Sequence, residues 1–287
     1  MLGRLAIASV ILAGCKDSAP PPAPPPSDLV VVSSGVVPLH QLRYRVAKGT
    51  KTTLELELEG KLVAGEITSA TPPLVFTLEV ACVDVAADGK MKLTTTIQDL
   101  VTNAAPDQPG APRAIADAQS LKGLSITATL APDGAVTNVQ AAVADKQLSD
   151  AAKAELDQLV QAMPKLAMPL PTTPIGIGAK WRSSRPLGPA SPLALTSVTT
   201  IDISGITGTT LTYELSSTVH GADQIVKQDG VDVDVKSITG TATGHGTFDL
   251  SRLALTGTLS AELHMDMTTG SDHTPMTMAL DLRTTSH

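Results

Sequence analysis

The residues of this chain best suited to metal chemistry lie near its C-terminus. Glu262, His264 and Asp266 alternate along one predicted strand and therefore share a face. Carboxylates and imidazoles are common ligands of zinc and similar ions, but alternate strand residues are about 7 Å apart, so one ion would need further ligands from loops. The pattern fits either a metal-dependent hydrolase or, the favoured interpretation, a solvated strand face. The available loop ligands are His245, Asp272 and His273.

Motifs of the common hydrolases and nucleotide-binding enzymes are absent from the sequence. It contains no Gly-x-Ser-x-Gly, His-Glu-x-x-His or Ser-x-x-Lys pattern and no pair of closely spaced cysteines. Gly176-Ile177-Gly178 precedes Lys180, but the spacing is not that of a phosphate loop and no helix is predicted to follow. We therefore expect a protein that is not an enzyme and that needs no cofactor.

The first fifteen residues predict where the protein works. Arg4 supplies a positive charge, an apolar run follows at Leu5–Leu12, and Leu12-Ala13-Gly14-Cys15 completes the segment. The run has the length of a signal-peptide core and is well short of the roughly 20 residues that span a bilayer. Its ending resembles the lipobox of bacterial lipoproteins. The resemblance implies that residues 1–14 are a signal peptide and that Cys15 is lipidated with acyl chains such as palmitate.

The resemblance also implies an exported protein, lipid-anchored to a membrane on the periplasmic face or at the cell surface. Residues 15–28 are rich in proline, which favours an extended polyproline conformation, so we expect a tether between the anchor and the folded part. The β-rich domain should then span 29–287. Two halves, 29–145 and 179–287, joined by a helix and a proline-rich connector, are the alternative to one continuous sheet.

Composition excludes some partners. The formal net charge is −7, and nucleic-acid binding requires a basic surface, so we expect no nucleic-acid partner. Only Cys15 and Cys82 are cysteines. If Cys15 carries lipid, Cys82 has no intramolecular partner, and its position among alternating apolar residues predicts a buried, unreactive thiol.

Hydrophobic periodicity predicts a mainly β fold. Alternation at 53–59, 210–219 and 253–267 is typical of strands with one buried face. The more apolar segment 74–85 and the segment 91–100 are predicted to form a hairpin that turns at Asp88-Gly89. One amphipathic helix is expected at 149–163, with Ser149 as its N-cap and Pro164 after its end. A proline-stiffened connector should lead from there to a strand starting at Trp181. These elements predict a large curved antiparallel sheet, or a half-barrel or sandwich, with one amphipathic helix packed on it.

The mature part is similar to a family of uncharacterised β-rich envelope lipoproteins. The residues that carry the similarity are the lipobox, the segment Pro171–Trp181 after the helix, and the hairpin at Thr247-Phe248-Asp249. No activity is implied by this family. More loosely, the architecture resembles periplasmic lipid carriers, in which a curved antiparallel sheet wraps an apolar ligand.

Two functional hypotheses remain beside the hydrolase. The first is a non-catalytic binding or scaffold module that recruits a protein partner through exposed sheet surface. The second is a carrier or sensor of apolar ligands, held between the sheet and the helix. For the carrier we expect contacts from six residues, which are Leu156, Leu159, Met163, Leu263, Met265 and Met267.

Overall fold

The structure is a computed structural model that describes residues 28–102, 119–142, 148–149, 152–153, 156–157, 159–161, 163, 167–187, 193–228 and 231–287. The predicted signal peptide, the lipobox with Cys15 and nearly all of the tether lie outside these residues. Within them, thirteen strands form one antiparallel sheet, which confirms the predicted fold class. The strands are β1 (Asp28–His40), β2 (Lys51–Ala64), β3 (Ile67–Val85), β4 (Met91–Thr102), β5 (Ser125–Leu130), β6 (Val136–Ala142), β7 (Ile175–Pro186), β8 (Leu195–Thr207), β9 (Thr210–Gly221), β10 (Gln224–Gln228), β11 (Val231–Asp249), β12 (Ala254–Thr269) and β13 (Asp272–Ser286).

The strand order joins the two parts of the chain into one sheet. The order is β1-β7-β8-β9-β11-β12-β13-β2-β3-β4-β5-β6, with β10 paired to β11 beside it. The last strand, β13, pairs with β2 from Ser286 opposite Leu54 to Met276 opposite Ala64. Strands before and after the helix are therefore neighbours. Because side chains alternate across each strand, the sheet has an inner face rich in apolar residues and a polar outer face.

The helix covers one region of the inner face. Residues 152–153, 156–157, 159–161 and 163 are helical, and a shorter helical segment occupies 119–121. The backbone N–H of Ala152 donates to the Ser149 side-chain oxygen at 3.1 Å, as expected for an N-cap. Ala152 and Leu156 are buried against strands β3–β5 in one core cluster with Leu78, Ile97 and Ile126. No helix in the part of the chain that the structure describes is long and apolar enough to cross a membrane.

One end of the curved sheet is closed by a core that joins its two sides. Trp181 of β7 and Ile201 of β8 share a cluster with Cys82 of β3 and Leu93 of β4, although these strands are far apart in the sheet order. The segment after β1 crosses between the sides. The Tyr44 N–H donates to the Pro132 carbonyl at 2.9 Å, and the Arg45 N–H donates to the Leu250 carbonyl at 3.1 Å. The Tyr44 ring also packs edge-on against Phe248, with ring centres 5.6 Å apart.

A third core cluster lies on β8–β13. It contains Leu195, Val235, Ile238 and Met265 as buried residues, with Met278 and other apolar side chains packed around them. The three clusters therefore occupy different regions of the inner face. A further part of the inner face lies between the second and third clusters.

Strand β7 begins at Ile175, earlier than the expected start at Trp181. Gly176 and Gly178, which fall within the expected connector, are inside the strand. A Cβ added to Gly176 would lie only 1.9 Å from the Val36 carbonyl oxygen, and Gly178 has a φ of +78°. Glycine is thus required for the close approach of β1 and for a local irregularity, and both roles depend on contacts distant in sequence.

Candidate ligand-binding site

A set of leucines lies side by side on four adjacent strands of the inner face. Leu259 of β12 is opposite Leu282 of β13, Leu282 is opposite Leu58 of β2, and Leu58 is opposite Leu74 of β3. Leu280 shares that face on β13 because it lies two residues from Leu282, and Leu62 shares it on β2 because it lies four residues from Leu58. We call the whole set the apolar strip, and its residues are Leu58, Leu62, Leu74, Leu259, Leu280 and Leu282.

The apolar strip is incompletely covered by the described residues. Leu280 is 39% exposed, and the other five leucines are only partly buried. None of the six belongs to any of the three core clusters. Fully burying a leucine is favourable by about 1.5–3 kcal/mol, and only part of that free energy is realised here. The strip is therefore a surface on which an apolar molecule can gain binding free energy.

Strand β11 provides a smooth surface beside the strip. Its inner face carries Gly240, Ala242 and Gly244 in succession, so no side chain larger than a methyl group projects there. A Cβ on Gly240 would lie 2.9 Å from a Leu263 methyl carbon, and one on Gly244 would lie 3.2 Å from a Leu259 methyl carbon. The leucines of β12 thus lean over β11, and the apolar surface continues toward β9.

Beyond β11 the inner face becomes polar. Ser197 Oγ of β8 and Ser217 Oγ of β9 are 2.7 Å apart. Thr199 Oγ1 of β8 donates to Ser217 Oγ at 3.1 Å and lies 3.3 Å from Ser197 Oγ. The adjacent inward residue of β7 is the buried Ser183, opposite Thr199. We call Ser183, Ser197, Thr199 and Ser217 the hydroxyl cluster.

An arginine stands next to the hydroxyl cluster on the same face. Arg185 follows Trp181 and Ser183 at every second position of β7, and its register partner is Ser197. Its side chain is partly buried, and it forms no ion pair with a described carboxylate. Burial lowers the pKa of Arg185, and the nearby phenol of Tyr44 partly offsets this effect. The arrangement therefore holds an inward-facing cation beside several hydroxyl groups.

The residues expected to contact an apolar ligand divide between two clusters. Leu156, Leu159 and Met163 of the helix pack with strands β2–β5. Leu263, Met265 and Met267 of β12 pack in the third cluster, with residues of β8–β13. The structure does not bring the two sets together, because the helix lies over one side of the sheet and β12 belongs to the other. The apolar strip lies between them.

A shallow groove runs beside the helix. It is lined by apolar side chains of β6 and the helix together with the polar residues Lys153 and Asp157. Leu156, one of the expected contact residues, forms part of its wall. Leu156 is almost fully buried in the core, so it contributes little accessible surface to the groove.

The candidate metal ligands form pairs and not a common site. His264 Nε2 lies 3.5 Å from a Glu262 carboxylate oxygen, and His273 Nε2 lies 3.6 Å from a carboxylate oxygen of Asp266. His264 Nδ1 is 3.1 Å from the Thr277 hydroxyl. Among the described residues, no group of three or more His, Cys, Asp or Glu side chains could hold a metal ion. These residues lie on the exposed outer face.

Cys82 lies inside the first core cluster. It is almost fully buried, and its Sγ is 3.7 Å from the Val46 carbonyl oxygen. Burial raises the pKa of the Cys82 thiol. A buried thiol with a raised pKa is a poor nucleophile, so the structure gives Cys82 a packing role.

Sequence reasoning did not single out Arg185 or the hydroxyl cluster. The available signal was the alternation Trp181, Ser183, Arg185, which places an arginine on the face of a buried tryptophan. Without the register of β7, β8 and β9, that arginine could not be linked to Ser197 and Ser217. No model of a known protein family matches this chain, and no curated protein sequence matches it.

Proposed function

We propose that this protein is a lipid-anchored binding module of the cell envelope that holds an apolar molecule against the inner face of its sheet. The envelope location rests on the lipobox ending at Cys15 and on the tether that follows it. The binding activity rests on one observation: Leu280 is 39% exposed on the face that elsewhere forms the core.

The neighbouring leucines support this assignment. A single exposed leucine is ordinary on a protein surface, but a contiguous apolar patch indicates a binding surface. Leu58, Leu74, Leu259 and Leu282 form such a patch, in register across four strands. The sheet curves so that residues from its two sides, β7–β8 and β3–β4, pack in one core cluster, which makes the inner face concave. Ligand sites are typically concave and apolar.

The proposal is tested by titrating the protein with a neutral, environment-sensitive naphthylamine fluorophore. The full chain carrying Cys15→Ser is used, so that no attached acyl chain competes for the strip. We expect saturable binding that is weakened about tenfold or more by Leu280→Glu, because a carboxylate on the strip would have to be desolvated by the ligand.

The matched control adds the same charge to the outer face. Thr258 lies on β12, opposite Arg283, and is exposed. Thr258→Glu should leave fluorophore binding unchanged. Equal loss in both variants, or no saturable binding by the parent protein, would contradict the proposal. As a second measurement, native mass spectrometry of the same protein purified from its envelope would identify any apolar molecule that the protein retains.

A second candidate function is recruitment of a protein partner at the edge strand β1. Within the described residues β1 pairs only with β7, and five of its large apolar side chains are exposed. An unpaired strand edge can accept a strand from a partner, with side-chain pockets providing specificity. The exposed residues are Val30, Val32, Val36, Val37 and Leu39.

Site-specific crosslinking in intact cells tests this second function. A photoreactive residue at Val32 should give one discrete adduct, and Val30→Lys in the same chain should abolish it. A photoreactive residue at Val85, which is also exposed but lies on β3, is the control and should give no adduct of that size. Identical adducts from both positions would show nonspecific capture and argue against a β1 partner.

A further inference from the structure

We infer that the ligand of the inner face is a long-chain carboxylate, whose head lies at Arg185 and the hydroxyl cluster and whose chain crosses β9, β11 and β12 to reach the apolar strip. This inference rests on the proposed apolar-ligand function and specifies its substrate class. The observation behind it is that one sheet face carries a polar, cationic region and an apolar region in continuous register.

The register connects the two regions strand by strand. Ser183 of β7 is opposite Thr199 of β8, Thr199 is opposite Ser217 of β9, and Ser217 is opposite Ala242 of β11. The same row then continues through Ala261 of β12, Leu280 of β13 and Gly60 of β2. Five strand spacings of about 4.8 Å separate β7 from β13, so the path measures about 24 Å along the sheet.

The side chains along this row suit an elongated ligand. Ala242 and Ala261 form a low floor between the hydroxyl cluster and Leu280. One flanking row contains Leu263 and Met278, and the other contains Leu259 and Leu282. A hydrocarbon chain on this floor would contact apolar atoms on both sides and would cover the exposed surface of Leu280.

Charge complementarity identifies the head group. The guanidinium of Arg185 offers a planar fork of N–H donors that matches a carboxylate with two parallel hydrogen bonds. The neighbouring hydroxyls of Ser197 and Thr199 can rotate to donate as well. Arg185 is the inward-facing cation on β7, whereas Lys180 faces outward and pairs with Asp202 at 2.7 Å. Arg185 forms no ion pair with a carboxylate of the described residues, and its single positive charge balances one negative charge, which favours a carboxylate over a phosphate dianion.

Strand β7 carries a second arginine, which points to the opposite face of the sheet. Arg182 lies on β7 between Trp181 and Ser183, so its side chain points to the outer face, where it is exposed. Arg182 therefore provides a matched control for Arg185. Both residues are arginines on β7, and they differ in the face of the sheet to which their side chains point.

The test compares two probes of equal chain length, hexadecanoic acid and hexadecanol, by titration calorimetry on the full chain carrying Cys15→Ser. We expect the acid to bind about 10- to 100-fold more tightly than the alcohol, as is typical for charge-assisted hydrogen bonds. Arg185→Leu should reduce acid affinity to the level of the alcohol. Arg182→Leu should change neither affinity, and Arg185→Lys should restore part of the preference.

The outcomes separate this inference from the proposed function. If acid and alcohol bind equally well, the carboxylate inference is overturned and the apolar-ligand function stands. If the acid is preferred but Arg185→Leu retains the preference, the head group lies elsewhere and the inference is again overturned. If neither probe binds, both proposals fail. An unchanged urea midpoint in Arg185→Leu establishes that loss of binding is not loss of folding.

Discussion

Thr95→Val should stabilise the protein, whereas the same replacement at the equally buried Thr52 should destabilise it. Thr95 of β4 and Thr52 of β2 are each 3% exposed. The Thr52 hydroxyl donates to the Arg252 carbonyl oxygen, whereas the Thr95 hydroxyl has no hydrogen-bond partner among the described residues. Thr95 lies between Val80 and Ile126 on the inner face, so its hydroxyl is surrounded by apolar strand neighbours.

The magnitudes follow from what each hydroxyl loses or gains. A buried polar group without a partner costs about 1–3 kcal/mol, and valine has nearly the same shape and an equal or better strand propensity. Thr95→Val should therefore raise the free energy of unfolding by about 1 kcal/mol. Thr52→Val removes a hydrogen bond and leaves the Arg252 carbonyl without this donor, so it should lower that free energy by about 1–2 kcal/mol.

Urea unfolding followed by circular dichroism measures both effects. The midpoint should shift in opposite directions with an unchanged m-value, and the melting temperature should differ from the parent by about 2–4 °C per kcal/mol. Destabilisation by Thr95→Val would refute the reasoning, because it would show that the hydroxyl has a bonding partner in the protein in solution. A changed m-value would indicate an altered unfolded or native state and would remove the basis for the comparison.

Two further predictions concern the backbone and the pH dependence of stability. In urea unfolding, Gly176→Ala should destabilise the protein by more than Gly178→Ala. The Cβ of an alanine at 176 would meet the Val36 carbonyl oxygen, whereas an alanine at 178 has free space and costs only the positive φ, about 1–2 kcal/mol. Equal effects of the two substitutions would contradict the β1–β7 contact. Burial raises the pKa of Tyr44 above its usual value of 10, so above pH 10 the unfolded chain releases a proton that the folded chain keeps. Because of this group, the free energy of unfolding should fall by up to about 1.4 kcal/mol per pH unit above pH 10. Tyr44→Phe should reduce that slope, although it also loses the 2.9 Å hydrogen bond to the Met168 carbonyl. An unchanged slope would place Tyr44 in contact with solvent.

The strands could be predicted from sequence because their signal is local. Alternation at 53–59 and 253–267 assigns each side chain to a face without knowledge of any partner. In the structure all of the first segment and residues 254–267 of the second are strand. The helix could be predicted for the same reason, from Ser149 and an apolar stripe. The start of β7 could not, because Gly176 is explained only by the Val36 carbonyl, which lies far away in the sequence.

The candidate site could be predicted only in part, because it is defined by register. Alternation correctly placed Leu263 and Met265 on the apolar face of β12, but it could not show that they share a cluster with β8–β11 and not with the helix. The link from Arg185 to Ser197, and from Leu259 to Leu282, requires pairings across strands. Such pairings are set by the whole sheet and leave no mark in a single segment.

The distribution of the core explains how the fold can leave an apolar surface open. Stability comes from three clusters that lie around the strip: Trp181 and Tyr44 anchor the first, Leu156 the second, and Met265 the third. None of these clusters includes Leu280. Replacing Leu280 should therefore change ligand binding with little loss of stability, whereas replacing Trp181 or Leu156 should cost several kcal/mol, as is typical of buried large side chains. Because the core lies outside the strip, this face of the sheet can stay open to the proposed ligand while the protein remains folded without it.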